Sequence, residues 1–432
     1  RGAKSGTPES VGSPSAGCGA AQILLASGVS GGAVGLAVSR YAGQDGKARE
    51  QVKKLGQPGA LSAASAGLFV RDWVAGATGI RYFSSGSPKW QDRAALMENA
   101  WVTAVPGLQT QFLNHPSDAS ARGFTASLLL NSTSVATGCR MIVSQVDLTK
   151  RSGQSLPKQS TPCGDVISPY GGSVDLLAQV GPDRSSVGPD RSSDGSPPEQ
   201  SADQRCFTEL TAATAAMFAA RFPYVTPSGV VGPCGDGPME QLIAGGYAEG
   251  TGLGTLTEVA PEIMRLIRDC NATAAAQGRP FIVPFVVYLD NGTGTGLATD
   301  RPGKTMEALV PPTGFLHNGK ALVSTAALLQ RLADITDPRG LSVGLDAKEI
   351  EKALGHRISV VHQWAKPAIN APLGWTLSQA SVTTMDSAIE ALAQCPTGEK
   401  VRSDPTVEML NRQGYGRLYD VLKSLGADDC SP

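Results

Sequence analysis

The 432-residue chain lacks the features that mark several common classes of protein. Charged residues make up only 17 % and the formal net charge is -1, so no excess of positive charge favours binding to nucleic acid. No uninterrupted apolar run reaches the roughly 18 residues of a membrane-spanning helix. None of the eight cysteines forms a Cys-x-x-Cys pair, which disfavours a zinc site. The sequence therefore predicts a protein without metal or cofactor.

Histidine is also scarce, and a histidine base could only be His115, His317, His356 or His362. The even number of cysteines leaves both buried thiols and disulfides open. Cys163 and Cys206 flank a polar segment, and a bridge between them would hold its ends together. Disulfides form in oxidising compartments, so they would favour an exported protein.

Apolar residues make up 41 % of the chain, and 51 glycines and 29 prolines accompany them. This composition is typical of a globular, loop-rich protein with a sizeable core. The apolar periodicity predicts strands at Gln22–Ser27, Ser127–Thr133, Cys139–Ser144 and Phe281–Asn291, and helices at Ala33–Tyr41, Gln91–Trp101, Thr255–Cys270 and from Thr208 onward. The last of the strands is almost continuously apolar, as in strands buried within a parallel sheet. Alternating strands and helices predict an α/β sandwich.

Two regions differ from this pattern. Residues 153–204 are polar and rich in proline, and they contain "GPDRSS" twice, at Gly181–Ser186 and Gly188–Ser193. Such a composition buries too little apolar surface for a core, so we predict a disordered insertion. Residues 313–432 are more helical and more charged, which predicts a C-terminal helical extension or cap after a main domain of residues 1–312. Because the sequence begins at Arg1, we expect a processed or truncated N-terminus.

The segment Gly28-Val29-Ser30-Gly31-Gly32 matches G-x-S-x-G, the pattern of a nucleophile elbow. It follows a predicted strand and precedes a predicted helix. A sharp turn there would hold Ser30 in strained backbone geometry, with glycines where side chains would collide with the neighbouring chain. Ser30 would stand at a helix N-terminus, where unpaired N–H groups favour negative charge. The Gly31 N–H would be the first donor to an oxyanion.

Six segments, in order, make the chain similar to the patatin-like phospholipase family, particularly its larger bacterial members. They are "SGVSGGAVG" from Ser27, "DRAALMENAW" from Asp92, "LLLNSTSVATGCRMIVSQVDL" from Leu128, "ARFPYVTPSG" from Ala220, "IAGGYAEGTGLGTL" from Ile243 and "PLGWTLS" from Pro372. The resemblance implies a three-layer α/β/α sandwich around a largely parallel sheet. It also implies a serine–aspartate dyad without histidine, in which Ser30 forms an acyl-enzyme on a lipid or other ester. A membrane-associated or exported location, with possible contact to a membrane surface, would fit such a substrate.

The chain departs from the family at two places. The aspartate of the family's D-G-G/A motif aligns with Ala244, which is followed by Gly245 and Gly246, and a methyl group cannot accept a proton. The family's glycine-rich oxyanion loop is represented at most by Arg1-Gly2. Glu249 and Asp236 are the nearby carboxylates that could replace the base, although Glu249 is better placed to cap or flank the following helix.

Two alternatives remain open from the sequence. The chain could be an impaired relative that binds acyl chains or a partner, as Ala244 suggests. It could instead be an α/β-hydrolase with a Ser-Asp-His triad, in which His317, His356 or His362 is the base and Asp290 orients it.

Overall fold

The structure is a computed structural model. It describes residues 23–42, 48–55, 59–79, 92–113, 126–148, 150–151, 154–155, 160–161, 163–165, 173–180, 210–222, 225–232, 239–277, 282–284, 286–290, 320–337, 360–364, 379–380 and 382–383. Some residues singled out above lie outside these ranges: Asp236, His115, His317, His356, Cys206, the "GPDRSS" copies, Arg1-Gly2 and the segment Pro372–Ser378.

The described strands are β1 (Leu25–Val29), β2 (Ser127–Ser134), β3 (Arg140–Ser144), β4 (Ser173–Asp175), β5 (Gly229–Val231), β6 (Glu240–Ala244), β7 (Val286–Asp290) and β8 (Val360–Trp364), besides four two-residue strands between residues 150 and 165. The α-helices are α1 (Gly31–Tyr41), α2 (Ala48–Leu55), α3 (Gly59–Ala66), α4 (Trp73–Thr78), α5 (Arg93–Ala104), α6 (Leu176–Val180), α7 (Ala212–Ala219), α8 (Leu253–Ala276) and α9 (Lys320–Ile335). A π-helical turn at Gly67–Asp72 joins α3 to α4, and short 3₁₀ turns occupy Pro106–Gln109 and Gly245–Tyr247.

A mixed six-stranded sheet lies at the centre, in the order β4-β3-β2-β6-β5, with β1 also paired to β2. Two pairings are parallel, β1–β2 and β3–β4. Three are antiparallel, β2–β3, β2–β6 and β5–β6. The prediction of an α/β fold is confirmed, whereas the prediction of a largely parallel sheet is wrong for these strands. Only residues 135–139 connect β2 to β3, and so short a link permits a hairpin but no parallel crossover.

Consecutive side chains of a strand point to opposite sides of the sheet. Apolar side chains of β2 therefore lie on both faces, and helices pack against both. Leu128 and Leu130 of β2 belong to the main core, which also contains buried residues of α1, α5 and α7. Leu129, between them, packs on the other face with Ile142 of β3 and Val259 of α8. We call the first the α1 face and the second the α8 face.

The predicted insertion contains structure that its composition did not reveal. β4 joins the edge of the central sheet, and α6 buries Leu176, Leu177 and Val180. A disordered insertion over all of residues 153–204 is therefore wrong, because the local apolar residues of "SVDLLAQV" suffice to join the core. Cys163 forms its disulfide with Cys139, next to β3, so the suggested bridge to Cys206 is also wrong.

The C-terminal part packs onto the earlier one. β8 pairs with β7 in a separate two-stranded parallel sheet, and Leu332 of α9 packs with Leu253 and Ala260 of α8. The predicted strand Phe281–Asn291 is present as the shorter β7, but Leu289 is 73 % exposed, so the expected burial within a large sheet is wrong. Among the described residues, no helix is both long and apolar enough to cross a membrane.

Candidate functional site

Ser30 occupies the sharp turn between β1 and α1 that the glycine pattern predicts. Its φ of 50° and ψ of -124° make it the sole non-glycine residue with positive φ in the described part of the chain. This conformation is costly for a residue with a β-carbon, by about 1–3 kcal/mol, and such residues concentrate at functional sites. The half-buried Ser30 hydroxyl makes no capping hydrogen bond to α1. The Ser30 hydroxyl therefore does not cap α1.

The glycines around Ser30 have different physical roles. A β-carbon on Gly28 would lie 2.9 Å from the Ala33 backbone nitrogen, so close packing of β1 against α1 requires glycine there. A β-carbon on Gly31 or Gly32 would meet nothing within 4 Å, which corrects the expectation of a collision at these two positions. Hydrogen bonding into the helix begins with the Ala33 N–H, which donates to Ser30 O at 3.0 Å. The Gly31 and Gly32 N–H groups therefore lack an intrahelical acceptor.

The sheet register brings Ser30 and Ala244 together. β1 runs parallel to β2 and ends with Val29 opposite Asn131. β6 runs antiparallel along the same edge of β2 and ends with Ala244 opposite Ser132. The carboxyl ends of β1 and β6 consequently meet head to head, and a β-carbon on Gly245 would lie 3.1 Å from Val29 Cγ1.

Both residues also belong to the α1 face of the sheet. Leu242, two residues before Ala244 on β6, lies in the main core beneath α1, so strand alternation places the Ala244 methyl on that face. Ser30 begins the turn into α1 itself. The residue at position 244 therefore lies close to the turn that carries Ser30.

The bend after β6 is held by hydrogen bonds from the sheet. Ala244 is 2 % exposed, and its N–H donates to Arg221 O at 2.6 Å. The Thr133 hydroxyl donates to Ala244 O at 3.0 Å. A β-carbon on Gly245 would lie only 2.1 Å from Asn131 O, whereas one on Gly246 would meet nothing within 4 Å. Gly245 is thus required for close approach to β2, and Gly246 leaves the surface open.

Ser132 is a polar residue at this junction that the sequence did not single out. It is fully buried, pairs with Ala244 across the strands, and its hydroxyl has no hydrogen-bond partner. A buried hydroxyl without a partner costs about 1–3 kcal/mol. The site therefore contains an unsatisfied hydroxyl next to a methyl group, at the position where the resemblance implies a carboxylate.

A polar network supports the bend from the α8 face. The Asn131 side-chain amide donates to Gly28 O and to the Ser27 hydroxyl, both at 2.9 Å. The Thr255 hydroxyl of α8 donates to Asn131 Oδ1 at 2.5 Å. Sequence reasoning missed this network. The available signal was the run Asn131–Ser134 within a strand that begins with three leucines, because buried polar residues are informative.

Of the two substitute carboxylates, the structure describes only Glu249. Its carboxylate accepts hydrogen bonds from Thr251 and, at 3.1 Å, from the Gly254 N–H at the start of α8. It also pairs with Arg140 Nη1 at 3.7 Å. These contacts confirm the capping role expected for Glu249 and occupy the oxygens that a general base would need.

Arg140 links this cap to the sheet. It pairs with Glu258 of α8 as well as with Glu249, and its Nε donates to the Ser173 hydroxyl at 2.5 Å. Burial raises the pKa of Glu258 above its ordinary value, although the Arg140 charge opposes this shift. The cluster joins β3, β4 and α8 behind the site and has a structural role.

Of the four histidines, the described part of the chain contains only His362. His362 lies on β8 opposite Tyr288, in the two-stranded sheet that is separate from the one carrying Ser30. Asp290, the partner suggested for such a histidine, lies on β7 of the same pair. Within the described ranges, no group of three or more His, Cys, Asp or Glu residues could hold a metal ion.

Comparisons with models of known protein families and with curated proteins found no significant match to this chain.

Proposed function

We propose that this chain has the architecture of a serine acyl-ester hydrolase, with a patatin-type α/β/α sandwich and Ser30 as the nucleophile toward lipid or other ester substrates. The observation that carries the proposal is the meeting of β1 and β6 at the same edge of β2, which places the strained Ser30 beside position 244. Helices on both faces of the central sheet support the sandwich.

The chemistry follows from the geometry of the bend. With a carboxylate at position 244 to take its proton, the Ser30 hydroxyl attacks the ester carbonyl carbon, and that proton passes to the oxygen of the departing alcohol. Water, deprotonated by the same carboxylate, later hydrolyses the acyl-enzyme, and the proton returns to Ser30. The free Gly31 and Gly32 N–H groups at the N-terminus of α1 stabilise the negative charge on the carbonyl oxygen. A β-carbon at either glycine would meet nothing within 4 Å, so the space on that side of the turn is open.

Position 244 lacks the proton acceptor that this reaction needs. Its methyl group cannot take the Ser30 proton, and the carboxylate of Glu249 is engaged with Arg140 and the start of α8. The chain as it stands therefore has an acyl-transfer geometry with an empty base position. The unpartnered Ser132 hydroxyl supports this interpretation, since a carboxylate at position 244 would give it an acceptor.

The test is the substitution Ala244→Asp, assayed with a soluble short-chain p-nitrophenyl ester. A positioned base contributes about 10²–10⁴-fold, so we expect kcat to rise by that factor. Ser132→Ala in the Ala244→Asp background should remove about tenfold of the gain, because a hydrogen bond to a charged group is lost. The same Ser132→Ala change with Ala244 present should leave the rate unchanged.

Ser30→Ala in the Ala244→Asp background is the control, and it should abolish both turnover and labelling by a fluorophosphonate probe. The proposal fails if Ala244→Asp neither hydrolyses the ester nor reacts with the probe. It also fails if its activity survives Ser30→Ala.

A second candidate function rests on Ala244 itself. With the base absent, the chain would bind acyl chains or a partner at the same bend without turnover. This alternative would be supported if a fatty acid raises the Tm of the unchanged chain and that chain does not hydrolyse the p-nitrophenyl ester. Turnover by the unchanged chain that Ser30→Ala abolishes would exclude it.

A further inference from the structure

The side chain of Asn131 is fully buried where β1, β2 and α8 meet. Its amide nitrogen donates to the Ser27 hydroxyl and to Gly28 O, both at 2.9 Å, and its amide oxygen accepts from the Thr255 hydroxyl. Reversal of the amide would point its oxygen at the Gly28 carbonyl, acceptor against acceptor. Since a buried amide costs free energy unless its hydrogen bonds are made, these partners fix the Asn131 side chain in one orientation.

The hydrogen bond to Gly28 O constrains the turn that follows it. Gly28 lies two residues before Ser30, whose positive φ is strained. A strained residue keeps its conformation only where the surrounding structure determines it. On the helix side of the turn, the Ala33 and Val34 N–H groups donate to Ser30 O at 3.0 and 3.3 Å. On the strand side, β1 ends one residue before Ser30, and the Asn131 amide adds a side-chain hydrogen bond there.

The same strand also holds the bend after β6. Thr133 lies two positions beyond Asn131, and therefore on the same face of β2. Its hydroxyl donates to Ala244 O at 3.0 Å and accepts from the Ala248 N–H at 3.1 Å. A β-carbon on Gly245 would lie 2.1 Å from Asn131 O. Two residues of β2 thus contact both sides of the junction, Asn131 the turn and Thr133 the bend.

The Thr255 hydroxyl links Asn131 to α8. Threonine inside a helix often returns its hydroxyl to the carbonyl four residues earlier, as Thr257 does toward Leu253 O at 2.8 Å. Thr255 donates across to Asn131 of β2. The two threonines are 0 % and 3 % exposed. α8 therefore offers two buried hydroxyls, of which Thr255 acts on the sheet and Thr257 acts within the helix.

We propose that Asn131, oriented by the Thr255 hydroxyl, is a positioning residue that fixes the Ser30 turn relative to position 244. It acts through the backbone of Gly28. A small displacement of a nucleophile slows a reaction, because the reacting atoms must lie within a narrow range of distances. The effect on turnover rests on the proposed function, whereas the effect on the turn does not.

The first experiment measures the turn without any assay of activity. Hydrogen exchange is followed by mass spectrometry in peptides that contain the Ala33 and Val34 amides, since both donate to Ser30 O. We expect Thr255→Val to speed this exchange by about tenfold, because a buried hydrogen bond is lost. Thr255→Ser keeps the hydroxyl and should exchange as the unchanged chain does. The matched control, Thr257→Val, should also leave this exchange unchanged.

The second experiment measures turnover of the p-nitrophenyl ester in the Ala244→Asp background. Thr255→Val should lower kcat by about tenfold and change KM by less than about twofold, because a displaced Ser30 impairs the chemical step more than binding. Thr255→Ser should keep the kcat of the background, as should Thr257→Val. A role in stability alone would lower Tm in both valine variants and leave their kcat values equal.

Equal exchange at the turn in Thr255→Val and Thr257→Val would overturn the proposal. Equal kcat in these two variants, with an active Ala244→Asp chain, would also overturn it. An inactive Ala244→Asp chain, with exchange raised by Thr255→Val alone, refutes the proposed function and supports the positioning of the turn. Should either valine variant fail to fold, Thr255→Ala and Thr257→Ala replace the pair, with the same difference expected.

Discussion

At the scale of single residues, the candidate site combines a strained residue with an unsatisfied one. Ser30 holds a positive φ, and Ser132 buries a hydroxyl without a partner beside the Ala244 methyl. Each feature costs folding free energy, and both lie at the one point where β1 and β6 meet. These two features are the observations on which the proposed catalytic role of the junction depends.

Tyr41, at the far end of α1, provides a residue-scale prediction of pH dependence. Its hydroxyl donates to Phe112 O at 2.8 Å and accepts from Gln145 Nε2 at 2.8 Å. Burial raises the pKa of Tyr41 from 10.0 to about 12. The folded state therefore keeps the proton more tightly than the unfolded state. Its contribution to stability is complete below pH 10 and is lost as the pH rises through about 12.

We expect Tyr41→Phe to lower the free energy of unfolding by about 1 kcal/mol at neutral pH, since Gln145 still donates to Phe112 O. The difference between the unchanged chain and Tyr41→Phe should shrink between pH 10 and pH 12, the interval over which the pKa is raised. Urea unfolding at fixed pH values measures it. A difference that stays constant over this interval would contradict the assignment.

At the scale of elements, local patterns predicted four of the eight strands β1–β8 and four of the nine described α-helices, whereas they could not predict the long-range pairing of strands. The three leucines of β2, the apolar residues of β3 and the periodicity of α8 each specify an element through nearby residues. That β1 and β6 share one edge of β2 depends on residues more than 100 positions apart, for which no local signal exists. β4 was missed because three residues cannot show a period of two.

In the candidate site, too, the local turn could be predicted from the sequence and the long-range contacts could not. The glycines around Ser30 specify a tight turn locally, and the structure shows that turn. The resemblance, and no local pattern, pointed to position 244. Asn131, Ser132 and Thr255 were not found, because their contacts depend on the register of β2 against β1, β6 and α8.

The packing of α1 on β1 gives a prediction with a matched control in one motif. Gly28→Ala would place a β-carbon 2.9 Å from the Ala33 backbone, and such overpacking costs about 1–3 kcal/mol. Gly32→Ala meets open space inside a helix, where alanine is favoured over glycine by up to about 1 kcal/mol. Thermal unfolding should therefore show a lower Tm for Gly28→Ala and an equal or higher Tm for Gly32→Ala. Equal losses in both variants would contradict the assigned packing.

At the scale of the whole molecule, α8 is the element that joins the parts. On one side it packs through Val259 against Leu129 and Ile142 of the central sheet. On another it packs through Leu253 and Ala260 against Leu332 of α9, beyond the predicted boundary at residue 312. A helix shared by two clusters transmits a loss of packing from one to the other, so we expect the described parts to unfold together.

Leu332→Ala tests this coupling. Leu332 is fully buried, and removing a buried leucine side chain costs about 2–5 kcal/mol. Leu289→Ala, at a position 73 % exposed, should change the free energy of unfolding by less than about 0.5 kcal/mol. Urea unfolding followed by far-UV circular dichroism and by tryptophan fluorescence should give one coincident transition, with a lower midpoint in Leu332→Ala for both probes. Two separate transitions, of which only one shifts, would show that α9 belongs to an independently folding unit.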